Sequence, residues 1–210
     1  MMLNTRHLAR NALIAASAAI LSGCVGAFTG PVEVTRFVSE QRSALGQGTI
    51  TIEFPDAIQN QRARNAIAAA VADELSELGY RVVLDGSAQA DQVASIRTSR
   101  NALAAASSRG PVSVGVGGST GTFGTGAGLG IGINLGGGQN GPNVTTELSV
   151  RISGPDGNSL WEGRAQQATS VKSPYSDVEA SAQTLAAALF KDFPGGNGET
   201  VIIDVDELQE

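Results

Sequence analysis

Glu147-Leu148-Ser149-Val150-Arg151-Ile152, Gly154-Pro155-Asp156-Gly157-Asn158 and Leu160-Trp161-Glu162-Gly163-Arg164-Ala165 follow one another in the chain. The first stretch places apolar residues at even and polar residues at odd positions, the period of a strand with one buried face. Pro155 presets φ and Gly157 accepts a positive φ, so the middle stretch is a turn. The third is the partner strand, running towards Thr169. An antiparallel hairpin with one apolar face needs a second layer to cover that face, so the fold is a sheet with something packed on it. Trp161, the only tryptophan, suits a ligand platform or a core; alternation in a strand favours the core.

Outward from this hairpin, two helices supply the second layer. Asp56-Ala57-Ile58-Gln59 has capping-box spacing and opens a helix with Ala63, Ile67, Val71, Leu75 and Leu78 on one stripe, stopped by Gly79. Ser176-Asp177-Val178-Glu179 is a second capping box, and Val178, Ala182, Leu185 and Leu189 form the stripe of a second helix, stopped at Pro194-Gly195-Gly196. Both inner faces are rich in alanine, which allows close approach to a sheet. Further strands are expected at Val32-Glu33-Val34-Thr35-Arg36-Phe37-Val38, Thr49-Ile50-Thr51-Ile52-Glu53-Phe54, Tyr80-Arg81-Val82-Val83-Leu84, residues 92–98 and, at an edge, residues 200–205. Residues 206–210 are expected to fray. The predicted class is α+β: a mostly antiparallel sheet with two helices on one face, plus a glycine-rich hairpin.

That hairpin is expected within residues 110–141. Residues 110–146 contain no charge and roughly half of the 27 glycines, yet Val112, Val114 and Val116 share one parity and Leu129, Ile131, Ile133 and Leu135 another. Period two indicates strands whose aliphatic face covers a core and whose bare face meets solvent or another backbone. A phosphate loop is excluded, because no lysine follows the glycines. Gly136, Gly138 and Gly141 match the GxGxxG spacing, but Pro142 and a strand follow where a helix is required. Insertion into the outer membrane as part of an oligomeric barrel is the remaining alternative, although the strands are short and lack an aromatic girdle.

At the N-terminus, Arg6 and Arg10 precede an apolar, alanine-rich run that ends at Leu21-Ser22-Gly23-Cys24. A run of about eleven residues suits a secretory signal better than a spanning helix, which takes roughly 20. The motif reads as a lipobox, with cleavage between Gly23 and Cys24 and acylation of Cys24 by palmitate-class chains; a stray or buried thiol is the plain alternative. Several chains give a stable anchor where a single myristoyl chain gives a marginal one. Val25 in place of Asp favours the outer membrane over the inner. The expected organisation is a cleaved signal peptide (1–23), a lipidated N-terminus and short tether (24–31), one α+β domain (32–196) and an acidic C-terminal tail (197–210).

Cleavage takes the net charge from −6 to −8, because the signal holds Arg6 and Arg10 and no acid. An acidic chain without a basic cluster argues against nucleic acid or anionic head groups as partners. His7, the only histidine, leaves with the signal, and Cys24, the only cysteine, is acylated. No imidazole or thiol then remains for base or nucleophile work, so no catalytic, cofactor or metal residues are assigned. Paired carboxylates remain open as an enzyme's means. Aromatics at 4% disfavour sugar stacking.

Four stretches, Pro31-Val32-Glu33-Val34-Thr35-Arg36-Phe37, Gly110-Pro111-Val112-Ser113-Val114-Gly115-Val116-Gly117-Gly118, Leu160-Trp161-Glu162-Gly163-Arg164-Ala165 and Ala188-Leu189-Phe190-Lys191-Asp192-Phe193-Pro194-Gly195, resemble a lipoprotein family of Gram-negative bacteria, domain of unknown function 4136. The resemblance implies an envelope lipoprotein with two helices on an antiparallel sheet and brings no catalytic residues. The expected role is a structural or interaction module, docking an envelope protein or another copy of itself. The alternative is a lipid or small apolar ligand held between helices and sheet.

Overall fold

The computed structural model describes residues 26–83, 90–102 and 144–208. Seven strands form one sheet: β1 (Thr29–Val38), β2 (Thr49–Glu53), β3 (Arg81–Val83), β4 (Gln92–Ala102), β5 (Val144–Ser153), β6 (Ser159–Thr169) and β7 (Glu199–Ile203). Helices α1 (Gln61–Glu77) and α2 (Val178–Phe190) lie on one side of it. The strand order is β3-β2-β4-β5-β6-β1-β7, an α+β architecture as the alternation predicts. The glycine-rich hairpin expected within residues 110–141 lies outside the described residues.

β5 and β6 pair antiparallel from Val144 opposite Thr169 to Ile152 opposite Trp161. The turn between them closes through Gly157, at φ +79°, whose amide donates to the Gly154 carbonyl at 2.9 Å. β4 extends this ladder on one side and β1 on the other, both antiparallel. Among the described residues only β2 pairs in parallel, with β3 and with β4. α1 provides the crossover that a parallel β2–β3 neighbour requires.

Parity decides which side chains meet the helices. Val32 and Val34, Ala94 and Ile96, and Leu148, Val150 and Ile152 are all buried. Ile67, Ala70, Val71 and Leu75 of α1 and Ala182, Leu185, Ala186, Leu189 and Phe190 of α2 complete this core. Trp161 is 1% exposed, stacks on Phe190 at 5.3 Å between centroids, and donates from Nε1 to the Pro194 carbonyl at 2.9 Å. It is a core residue, and the ligand-platform alternative falls.

The helix boundaries correct both capping-box expectations. α1 is capped by Asn60, whose Oδ1 accepts from the Ala63 amide at 3.2 Å. Asp56 is engaged elsewhere, in an ion pair with Arg97 at 3.0 Å. The Asp177 carboxylate caps α2 by accepting from the Glu179 amide, while Ser176 belongs to a preceding 3-10 turn. Gly79 ends α1 as its sequence position implies, at φ +100°, and the Tyr80 amide returns to the Leu75 carbonyl. α2 ends at Phe190, before Pro194, with the backbone reversing at Asp192, φ 57°. Residues expected to fray at the C-terminus include a further 3-10 turn, Val205–Leu208, held by Lys191 pairing with Glu207 at 3.1 Å.

Two buried polar side chains tie a loop and a helix to the sheet. Gln92 donates from Nε2 to the carbonyls of Ala44 and Gln47 and accepts from the Tyr80 hydroxyl. Arg36 shares the parity of Val32 and Val34, so it points under the helices. There it is 5% exposed, with Nε donating to the Leu189 carbonyl and a terminal nitrogen to the Ala188 carbonyl, both at 3.0 Å. A cation at the carbonyl end of a helix interacts favourably with its dipole. Burial lowers the Arg36 pKa from its usual value, opposed by Asp192 and Glu199.

Candidate functional site

Two places on this frame are candidate sites: the sheet face that carries no helix among the described residues, and a cleft on the opposite side. Gly23 and Cys24, the expected cleavage and lipidation residues, lie outside the described residues. Among the described residues no three His, Cys, Asp or Glu side chains converge as a metal site. No helix among them is long and apolar enough to cross a membrane.

The uncovered face is built from the odd positions of β1, β4 and β5 and the even positions of β6. Cross-strand register lines them up as rows: Ser95, Arg151, Glu162 and Phe37; then Arg97, Ser149, Arg164 and Thr35. Arg151 pairs with Glu162 directly opposite at 2.7 Å, and Arg164 pairs diagonally with Glu147. Thr35 and Thr200 share a hydrogen bond at 2.8 Å between hydroxyls. Phe37 and Ile202, 55% and 63% exposed, flank this polar field, and a shallow groove of about 480 Å³ runs along it. Exposed ion pairs of this kind contribute about 0–1 kcal/mol each to stability, so folding leaves these charges available to a partner.

The cleft lies between the N-terminal halves of α1 and α2, over the far end of β4 and β5. It measures about 280 Å³. Ala63 and Ile67 form one wall, Val178, Ala182 and Leu185 the other, and Leu148, Thr98 and Thr146 the floor, with Arg100 at the rim. Small side chains on both helices leave this gap: the alanine-rich inner faces allow close approach to the sheet and here a shortfall of packing volume. Across the helix ends, Arg62 makes a two-pronged contact to Glu179, at 2.6 Å from Nε, and lies 3.6 Å from Asp177. The periodic reading of each helix found the wall residues but not their separation; it missed Arg62 and Arg100, and it took Glu179 as part of a capping box rather than as the partner of Arg62. Arg100 shares the helix-facing parity of Ala94 and Ile96, which was the available signal.

Hydrogen bonds from Arg62 are the first cause holding the Glu179 carboxyl at about 2, against an ordinary 4.5. A carboxyl whose folded pKa is depressed stabilises the fold fully above its unfolded value and loses that contribution as pH falls through the folded one. Glu179→Gln is therefore expected to lower the melting temperature at pH 6 and to leave a difference that shrinks below pH 4.5 and closes near pH 2. Parallel melting curves of the two proteins across that range check this; a constant difference would contradict it.

No family model matches the sequence, and no curated protein matches it at a significant level. Solved structures resemble the fold loosely. A PelC L103M dodecamer from Paraburkholderia phytofirmans aligns with TM-score 0.43 and 10% identity over 75% of this chain and 93% of that one. A second PelC dodecamer from the same organism gives 0.45 and 11%, over 75% and 94%. A PDZ domain protein from Parabacteroides distasonis gives 0.47 and 14% over 90% of this chain, which spans 42% of that protein's length.

Proposed function

We propose that this protein is a non-enzymatic interaction module of the bacterial cell envelope. It is anchored through acyl chains on Cys24 to the periplasmic side of the outer membrane, in keeping with the family resemblance. The sheet face without a helix among the described residues carries this reading: β5 and β6 present two arginine–glutamate pairs, bordered by the hydroxyls of Thr35 and Thr200 and flanked by Phe37 and Ile202. Such a field suits a polar, charge-complementary protein surface, which orders registry and partner choice more than it adds raw affinity.

A photo-crosslinking residue at Thr200 is expected to capture one discrete partner, an envelope protein or a second copy, in intact cells. The same probe at Asp73, on the outer side of α1, is expected to capture none, and Arg151→Glu to weaken the Thr200 product at least fivefold. Cys24→Ser is expected to release the protein from the membrane fraction. Equal capture from both faces would sink the interaction reading, and membrane retention of the Cys24→Ser protein would sink the anchor. The cleft supports a second reading, a bound apolar ligand, because its walls are aliphatic and it opens to the surface.

A further inference from the structure

We infer that the cleft between α1 and α2 holds a single-chain anionic amphiphile, an alkyl carboxylate of about ten carbons, with the chain between the helices and the head group at Arg100. This inference rests on the second reading above and adds the ligand's chemistry. The cleft walls are Ala63, Ile67, Val178, Ala182 and Leu185, and Leu148 lies at the base. These side chains offer a chain no stacking surface and no charge, only aliphatic contact. At roughly 30 Å³ for a group the size of a water or methylene, about 280 Å³ takes roughly nine methylenes of one chain. Two chains do not fit side by side in that volume.

The charge at the rim selects the head group. Arg100 is exposed at the cleft and forms no ion pair with any carboxylate of the described residues. Residues 103–143, which follow it in the chain, contain no Asp or Glu. The acids at the neighbouring end of α2, Asp177 and Glu179, are engaged by Arg62. Among the described residues lining the cleft, Arg100 is thus the cation available to a ligand, and its planar fork matches a carboxylate in two-pronged fashion. The Thr146 residue opposite Arg100 in the sheet adds a hydroxyl at the same depth.

The test uses the full chain carrying Cys24→Ser, purified without detergent so that nothing competes for the cleft. Titration calorimetry with sodium decanoate, 1-decanol and decyltrimethylammonium bromide separates the chain from its head group. Decanoate is expected to bind at least tenfold more tightly than the other two, and affinity among carboxylates to rise about fourfold per methylene and level off near ten carbons. Arg100→Glu, at an exposed position, is expected to abolish the preference for decanoate and favour the ammonium probe. Ala63→Leu is expected to weaken decanoate at least tenfold without lowering the melting temperature. If decanol binds as well as decanoate and Arg100→Glu changes nothing, the anionic ligand is wrong while the apolar cleft stands. If none of the three binds, both fail.

Discussion

Gly163→Ala is expected to destabilise the fold by about 3 kcal/mol, far more than a methyl group on an ordinary strand residue. A Cβ at this position would overlap Cη2 of Trp161 and stand 2.7 Å from its Cζ2 and 2.7 Å from Cδ1 of Leu189. None of these atoms yields cheaply. The indole is stacked on Phe190, tilted against Phe193 at 5.2 Å and hydrogen-bonded to the Pro194 carbonyl, and Leu189 is fully buried. Overpacking a filled core costs about 1–3 kcal/mol, and displacing the ring adds a lost hydrogen bond of about 1 kcal/mol. Urea denaturation gives the magnitude, and a double-mutant cycle identifies the cause: in a Trp161→Leu background the added methyl should cost less than half as much. An undiminished penalty there would mean that the strand backbone, not the indole, resists the substitution.

Arg36→Met is expected to cost about 3 kcal/mol although it replaces a charge with an apolar side chain of similar length. Taking a guanidinium out of a core removes a desolvation penalty, and on that ground alone the variant would be more stable. The deciding term is what remains behind. The carbonyls of Ala188 and Leu189, at the end of α2, lose their donors at 3.0 Å, and the last carbonyls of a helix have no partner within it. Hydrogen bonds to a charged group contribute about 1.5–3 kcal/mol each. Arg36→Lys keeps the charge but not the fork, so it should recover only part of the loss. Chemical denaturation of the three proteins checks the order Arg, then Lys, then Met; a methionine variant as stable as the parent would show that desolvation dominates.

Arg36 also shows how much of this fold the sequence displays and where legibility ends. Parity in β1 placed Val32 and Val34 on the buried side, and the same parity places Arg36 there. A reader weighing charge against period discounts the arginine, because its partners are carbonyls more than 150 residues away. The β5–β6 hairpin, the burial of Trp161 and the end of α1 at Gly79 were all readable, since period, turn chemistry and a left-handed glycine are local. The direction of β2 was not, because period two is the same for parallel and antiparallel pairing. The start of α1 was misplaced for a related reason: Asp56 and Asn60 are both good caps, and Arg97, far along the chain, takes up the first. Of the cleft, the aliphatic walls were legible as helix stripes. The gap between them was not, since it is a difference in volume between two helices and a sheet that no single stretch encodes.

β4 and β5 remain paired up to Ala102 opposite Val144, the two residues that bracket the long glycine-rich stretch. Topologically that stretch is an insertion at a hairpin tip, entering and leaving at neighbouring points. The closure entropy of such an excursion grows only with the logarithm of its length, about 0.6 kcal/mol per doubling. The ladder that sets Ala102 opposite Val144 thus holds the two ends of that stretch together, and the sheet itself carries the cost of joining them.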